Sequence, residues 1–179
     1  QYTYHNAKNA ETFGVELDVK KNLDFIGLRG LSFVCNAAYI YSRVRFEEGA
    51  PERDRPLAGQ SPYLVNAGFF YQYDDKGISA SLLYNRIGKR IESVGVPMQN
   101  QDEDIPDIYE MPRNSLDLTF SKKIGKIVEI KAGIQDILNS KVEYKQFVKL
   151  TDDKGGKSER EQLIRSYRPG VDINIGVSL

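Results

Sequence analysis

Tryptophan is absent from these 179 residues, cysteine and histidine occur once each, and acidic and basic side chains balance at 25 apiece. Each scarcity removes a class of function. A single cysteine, Cys35, leaves no disulfide framework and no cysteine-built metal cluster. It falls among Leu31, Phe33 and Ala37 and reads as a small apolar filler. A single histidine, His5, builds neither a histidine-based triad nor a multi-histidine metal site, and reads as a solvated side chain. Zero net charge, without a basic patch interleaved with stacking aromatics, argues against nucleic acid as a partner. No run of eighteen apolar residues occurs, which excludes a helical membrane span. Glycine-rich phosphate loops are missing, and no carboxylate pair carries a sign of a desolvated cleft. The expectation is a protein that is not an enzyme and carries no cofactor, catalytic residue or resident metal.

What is present is alternation. Phe13, Val15, Leu17 and Val19 fall on one face of the first segment, opposite Gly14, Glu16, Asp18 and Lys20. The last segment repeats the pattern, with Val171, Ile173, Ile175, Val177 and Leu179 opposite Asp172, Asn174, Gly176 and Ser178. A period of two is a β-strand with one apolar and one wet face. Seven such strands are expected, at 11–21, 31–46, 63–73, 78–90, 115–122, 128–135 and 171–179. The connections rotate between short (22–30, 74–77, 124–126) and long and polar (47–61, 91–113, 139–162). That rotation is the signature of an all-β, antiparallel up-and-down transmembrane β-barrel, with short turns facing the periplasm and long loops facing outside. A mean hydropathy of -0.48 does not contradict it, because only every second residue meets lipid. Mid-strand charges such as Glu16, Asp18, Glu129 and Lys131 suit a wet lumen, although a solvated sheet face would tolerate them too.

Several stretches are familiar as a set. RPLAGQSPYLVNAG at 55–68 resembles a loop-to-strand junction of TonB-dependent receptors, and LYNRIG at 83–88 resembles the strand that follows it there. AGIQDILN at 132–139 resembles their penultimate strand, and YRPGV at 167–171, leading to Gly176 and Leu179, resembles the last one. The flavour is that of receptors from the Bacteroidetes. The resemblance covers nearly the whole chain and implies that residues 1–179 are one barrel segment, about seven C-terminal strands of a 22-strand barrel. It implies a bacterial outer-membrane location, contact with outer-membrane lipid, and uptake of a scarce nutrient such as an iron chelate, cobalamin, a glycan or a peptide. The N-terminal plug domain and the short box that meets the TonB complex are absent from this sequence. Gln1 and Tyr2 accordingly read as the start of a processed or partial chain. The terminal Leu179 also departs from the aromatic residue with which such chains usually end. The alternative is a small self-contained outer-membrane barrel or β-sheet binding module without transport, in which residues 2–5 form a short eighth strand.

Candidate sites are few. Asp102, Glu103, Asp104 and Asp107 are hard oxygen ligands close together, but their spacing misses the twelve-residue calcium loop and a solvated loop is preferred. Residues 152–156 (DDKGG) read as a flexible turn. Lys89, Arg90, Arg43 and Arg45 mark the outer rim, either as contacts to lipopolysaccharide phosphates or, preferably, as ordinary snorkelling side chains. The three long loops are expected to capture ligand.

Overall fold

The computed structural model describes residues 7–98, 104–125, 127–151 and 157–179. All seven expected strands are there. The main sheet takes β1 (Asn9–Asn22), β2 (Leu31–Arg45), β3 (Tyr63–Tyr73) and β4 (Ile78–Ile87) in chain order. Next come β5 (Arg90–Ser93) and β6 (Ile108–Glu110), which leave it, and then β7 (Arg113–Ile124) and β8 (Val128–Gln135), which rejoin it. The chain leaves again as β9 (Val142–Thr151) and β10 (Lys157–Tyr167) and closes with β11 (Asp172–Ser178) at the far edge. The result is a seven-stranded antiparallel meander, β1-β2-β3-β4-β7-β8-β11, and a four-stranded sheet, β10-β9-β6-β5. Within the described residues each of β1 and β11 pairs on one side only.

Two expectations are corrected. Segment 139–162 is not a loop for most of its length, and segment 91–113 carries two short strands. They are hairpin extensions in which β5, β6, β9 and β10 prolong β4, β7, β8 and β11 beyond a break in each strand. These strands carry no period-two apolar stripe to be read: Ile91 of β5 and Val142 of β9 are buried singly at the junction, and residues 158–167 are exposed throughout. Segment 47–61 does remain irregular. The short turns are tight 3₁₀ or hairpin turns, and Gly77 takes the left-handed φ of 57° that ends the Asp74–Lys76 turn.

Register carries the alternation across the sheet. Val19 faces Cys35, Cys35 faces Ala67, and Ala67 faces Tyr84. One row over, Phe69 faces Leu82, Leu82 faces Leu118, Leu118 faces Ile134, and Ile134 faces Ile173. One face is therefore apolar from edge to edge, reinforced by the stacked Phe13–Tyr41 pair (4.8 Å) and the Phe33–Phe69 pair (5.3 Å). The other face carries a cross-strand polar ladder. Asn36 donates to Glu16 at 2.6 Å and Asn85 donates to Asn66, while Ser79–Ser121 and Ser81–Thr119 share hydroxyl bonds.

The apolar face is not buried: Phe13, Val15, Ile173 and Ile175 expose 65, 76, 67 and 76% of their surface. Among the described residues the buried apolar side chains are Val44, Ile91 and Val142, all at the junction of the two sheets. The core, such as it is, lies where the strands break.

Candidate ligand-binding cleft

The strand breaks are held by polar clasps. Gly88 N–H donates to both Ser61 Oγ (2.9 Å) and the Tyr63 carbonyl (3.0 Å), fixing the step from β4 to β5 against β3. Asp136 is buried and pairs with Arg113, and its N–H donates to Asp117 at 2.8 Å. Asn139 accepts from Arg168 and Gly170, tying the β8–β9 step to the β10–β11 step.

Segment 47–61 is strapped to this junction. Val44 and Arg55 exchange backbone hydrogen bonds, Leu57 N–H donates to Ser42 Oγ, and Gly59 N–H donates to the Ile91 carbonyl. Asp54 takes Arg43 at 3.0 Å, and the Arg55 guanidinium lies 5.2 Å over the Phe46 ring. Across from it, 93–98 folds against 104–107. Val96 and Ile105 exchange backbone bonds, Gly95 N–H donates to Asp107 (2.7 Å), and Met98 N–H donates to Asp104 (2.8 Å). Arg53 bridges the two walls by its 2.5 Å ion pair with Asp104.

Between them opens a cleft of about 280 Å³. All three segments expected to capture ligand converge on it: Arg53 and Arg55 from the first, Asp104 and Tyr109 from the second, Phe147, Lys149 and Glu159 from the third, joined by Lys89 from the strand end before the second. The antiparallel pairing of β6 with β9 brings Tyr109 and Phe147 together edge to face, 5.8 Å apart. The Lys89 ammonium lies 4.6 Å and 4.7 Å from the two ring centroids. Burial raises the Tyr109 phenol above its ordinary range, and the neighbouring Asp107 and Glu159 carboxylates push it further the same way. Nearby on β9, Lys145 bonds Glu161 (2.7 Å) and Glu143 (3.2 Å), and these bonds, Glu161 first, hold its ammonium above the usual lysine range.

The rim cations have been put to internal use. Arg43, Arg45 and Arg90 pair with Asp54, Glu11 and Glu110, and Lys89 lies on the aromatic pair, so none projects as a free snorkelling charge. Asp104 and Asp107 serve backbone amides and Arg53, whereas Asp102, Glu103, residues 152–156 and His5 lie outside the described residues. No group of three or more metal-binding side chains occurs among the described residues. Cys35 is a free, half-buried thiol on the apolar face. Tyr109, Phe147, Glu159 and Gly95 lie within two of the segments expected to capture ligand, but the sequence does not single them out as a group, since what joins them is strand pairing rather than spacing.

No protein-family model matches the chain, and no solved structure matches it. Over 152 residues it is 25% identical to transferrin-binding protein A of Haemophilus influenzae. The match covers 77% of this chain and 16% of that protein, so the chain spans less than a fifth of the relative's length.

Proposed function

We propose that this chain is the C-terminal barrel portion of an outer-membrane receptor, and that the whole protein takes up a scarce nutrient as TonB-dependent receptors do. The observation that carries this reading is the apolar face, which is continuous over seven strands and left exposed or half-buried, while the other face of the same sheet carries the polar ladder. In water an exposed apolar face of this extent is an aggregation site, whereas against hydrocarbon it is at rest. The accessible surface, 13050 Å², supports the same view, since a compact monomer of 20.3 kDa exposes only about 8,800 Å². The unpaired edges of β1 and β11 are where the remaining barrel strands would pair.

In this reading the short turns face the periplasm and the cleft faces outside. The aromatic floor with a rim of both charge signs is the composition of a protein-contacting surface rather than of a site for one small ion. The distant likeness to a protein named for binding transferrin fits a macromolecular carrier as the object captured. Binding and passage are the tasks of such a segment. The plug, the contact with the TonB complex and the energy for transport would come from elsewhere in the longer protein.

The test is the native protein in outer-membrane fractions, detected with an antibody against this segment. A band several times larger than 20.3 kDa that migrates faster unboiled supports the receptor reading. A heat-shifting band near 20 kDa replaces it with a small barrel, and a protein recovered without membranes overturns both.

A further inference from the structure

The two rims of the apolar face differ in how their cations are satisfied. At the long-connection end, Lys8, Arg43 and Arg45 each pair with a carboxylate, Glu47 (3.4 Å), Asp54 (3.0 Å) and Glu11 (2.7 Å). At the short-turn end lie Lys21 on β1, Lys76 in the turn before β4, and Lys122 on β7. Among the described residues none of these three forms a salt bridge. Register places Lys21 on the apolar side, two residues beyond Val19, and Lys122 there too, two residues beyond Phe120. The Lys21 ammonium lies 5.4 Å over the Phe25 ring and that of Lys76 lies 5.5 Å over Tyr73, while Lys122 donates to the Lys76 carbonyl. Phe25 itself is 71% exposed. The carboxylates of Asp24 and Asp74 are turned inward to Gly30 N–H and Gln72. Asp75 is the exposed counter-charge on the Lys76 turn, which leaves the lysines in excess.

We propose that this rim, Lys21, Lys76 and Lys122 with Phe25 and Tyr73, is a docking surface for anionic phospholipid headgroups. The inference rests on the membrane reading above and adds a lipid preference that this reading does not require. Lys21 and Lys122 stand at the end of the apolar side of the sheet, and an aromatic ring lies beside the Lys21 and Lys76 ammoniums, the arrangement suited to the level where tail meets headgroup. A phosphate there meets cations without competing carboxylate partners, whereas at the opposite rim it would have to displace Asp54 or Glu11. The apolar face runs without interruption into this rim, so a lipid whose tails cover Leu82 and Phe69 carries its headgroup to it.

The experiment reconstitutes the full-length protein containing this chain into bilayers of equal phosphatidylglycerol and phosphatidylcholine. Retained lipid is then counted by native mass spectrometry. The wild type should retain phosphatidylglycerol in severalfold excess, about fivefold for each lysine engaged at most, and lose the excess in high salt. The variant K21Q/K76Q/K122Q should fall to parity and K21R/K76R/K122R should keep the preference, which separates charge from folding. R43Q/R45Q should leave it unchanged. Parity in an inserted, heat-modifiable wild type overturns this inference alone, as does full preference in the glutamine variant. Failure to insert at all overturns the membrane reading and the inference with it.

Discussion

Lys89 stands 4.6 Å from the centroid of the Tyr109 ring, at the step where β4 leaves the main sheet and becomes β5. One side chain thus joins the strand break to the cleft floor, because Phe147 of β9 takes the same ammonium at 4.7 Å. Lys89→Met keeps the stem and removes the charge. At an exposed site the loss is about 0.5–1 kcal/mol, which should speed amide exchange at 93–97 and 104–109 by about two- to fivefold and leave β2 and β3 unchanged. Equal protection in both proteins would remove Lys89 from the role of latch.

Gly95 is placed by contact rather than by a special φ. A Cβ there would meet the Ile105 carbonyl at 1.9 Å and Pro106 at 2.6 Å, both backbone. Gly95→Ala should therefore force the two arms of the 93–107 wall apart, at a local cost of about 1–3 kcal/mol. The expected outcome is loss of ligand capture by whole cells with an unaltered heat-dependent mobility shift. Capture at the wild-type level would show that this wall does not contact the ligand.

The Tyr109 phenol should titrate late. Burial first, then Asp107 and Glu159, disfavours the phenolate and raises its pKa above 10.0. Below pH 10 the phenol is neutral in both the closed and the open cleft, so its full contribution is present. As pH rises past 10 the open form ionises first, and the contribution is lost through the raised folded value. The difference in phenolate absorbance between wild type and Tyr109→Phe should accordingly have its midpoint above 10. A midpoint at or below 10 would place Tyr109 in open solvent.

The main sheet was legible because its strands have unlike faces, one apolar and one carrying the polar ladder. Phe13, Val15 and Leu17 cannot change faces without moving Glu16 and Asp18 with them, so sequence and register carry the same information. The 128–135 strand was read to the residue for that reason. The second sheet was not, because the 157–167 strand (KSEREQLIRSY) is wet on both sides and nothing penalises a polar residue on either face. The cleft was illegible for a further reason. Tyr109 and Phe147 are thirty-eight positions apart and meet only because β6 pairs with β9, a fact set by the meander and not by either segment.

Arg113 and Asp136 form the most enclosed ion pair of the junction, with side chains 27% and 12% exposed. Their geometry is demanding, since Asp136 holds a left-handed φ of 53° while its N–H bonds Asp117. Removing one partner strands the other charge, so Asp136→Ala should cost about 3 kcal/mol, the low end for a buried pair because Arg113 keeps some solvent. The double variant Arg113→Ala/Asp136→Ala should recover part of that loss. Urea unfolding in detergent micelles measures both, and strictly additive losses would mean that the pair is not coupled.

Leu82 and Asn66 distinguish a lipid-facing sheet from a solvated one, because they sit near the middle of the same sheet on opposite faces. Leu82 lies between Phe69 and Leu118 on the apolar side, and Asn66 accepts from Asn85 on the polar ladder. If the apolar face meets hydrocarbon, Leu82→Arg places a guanidinium near the bilayer midplane at a cost of about 2–4 kcal/mol. Asn66→Arg loses one amide hydrogen bond, about 1 kcal/mol, and otherwise points into a wet interior. Insertion into vesicles should therefore fall sharply for Leu82→Arg and stay near wild type for Asn66→Arg. A sheet solvated on both faces would reverse the order, because Leu82→Arg would then relieve an exposed apolar surface while Asn66→Arg still broke the ladder.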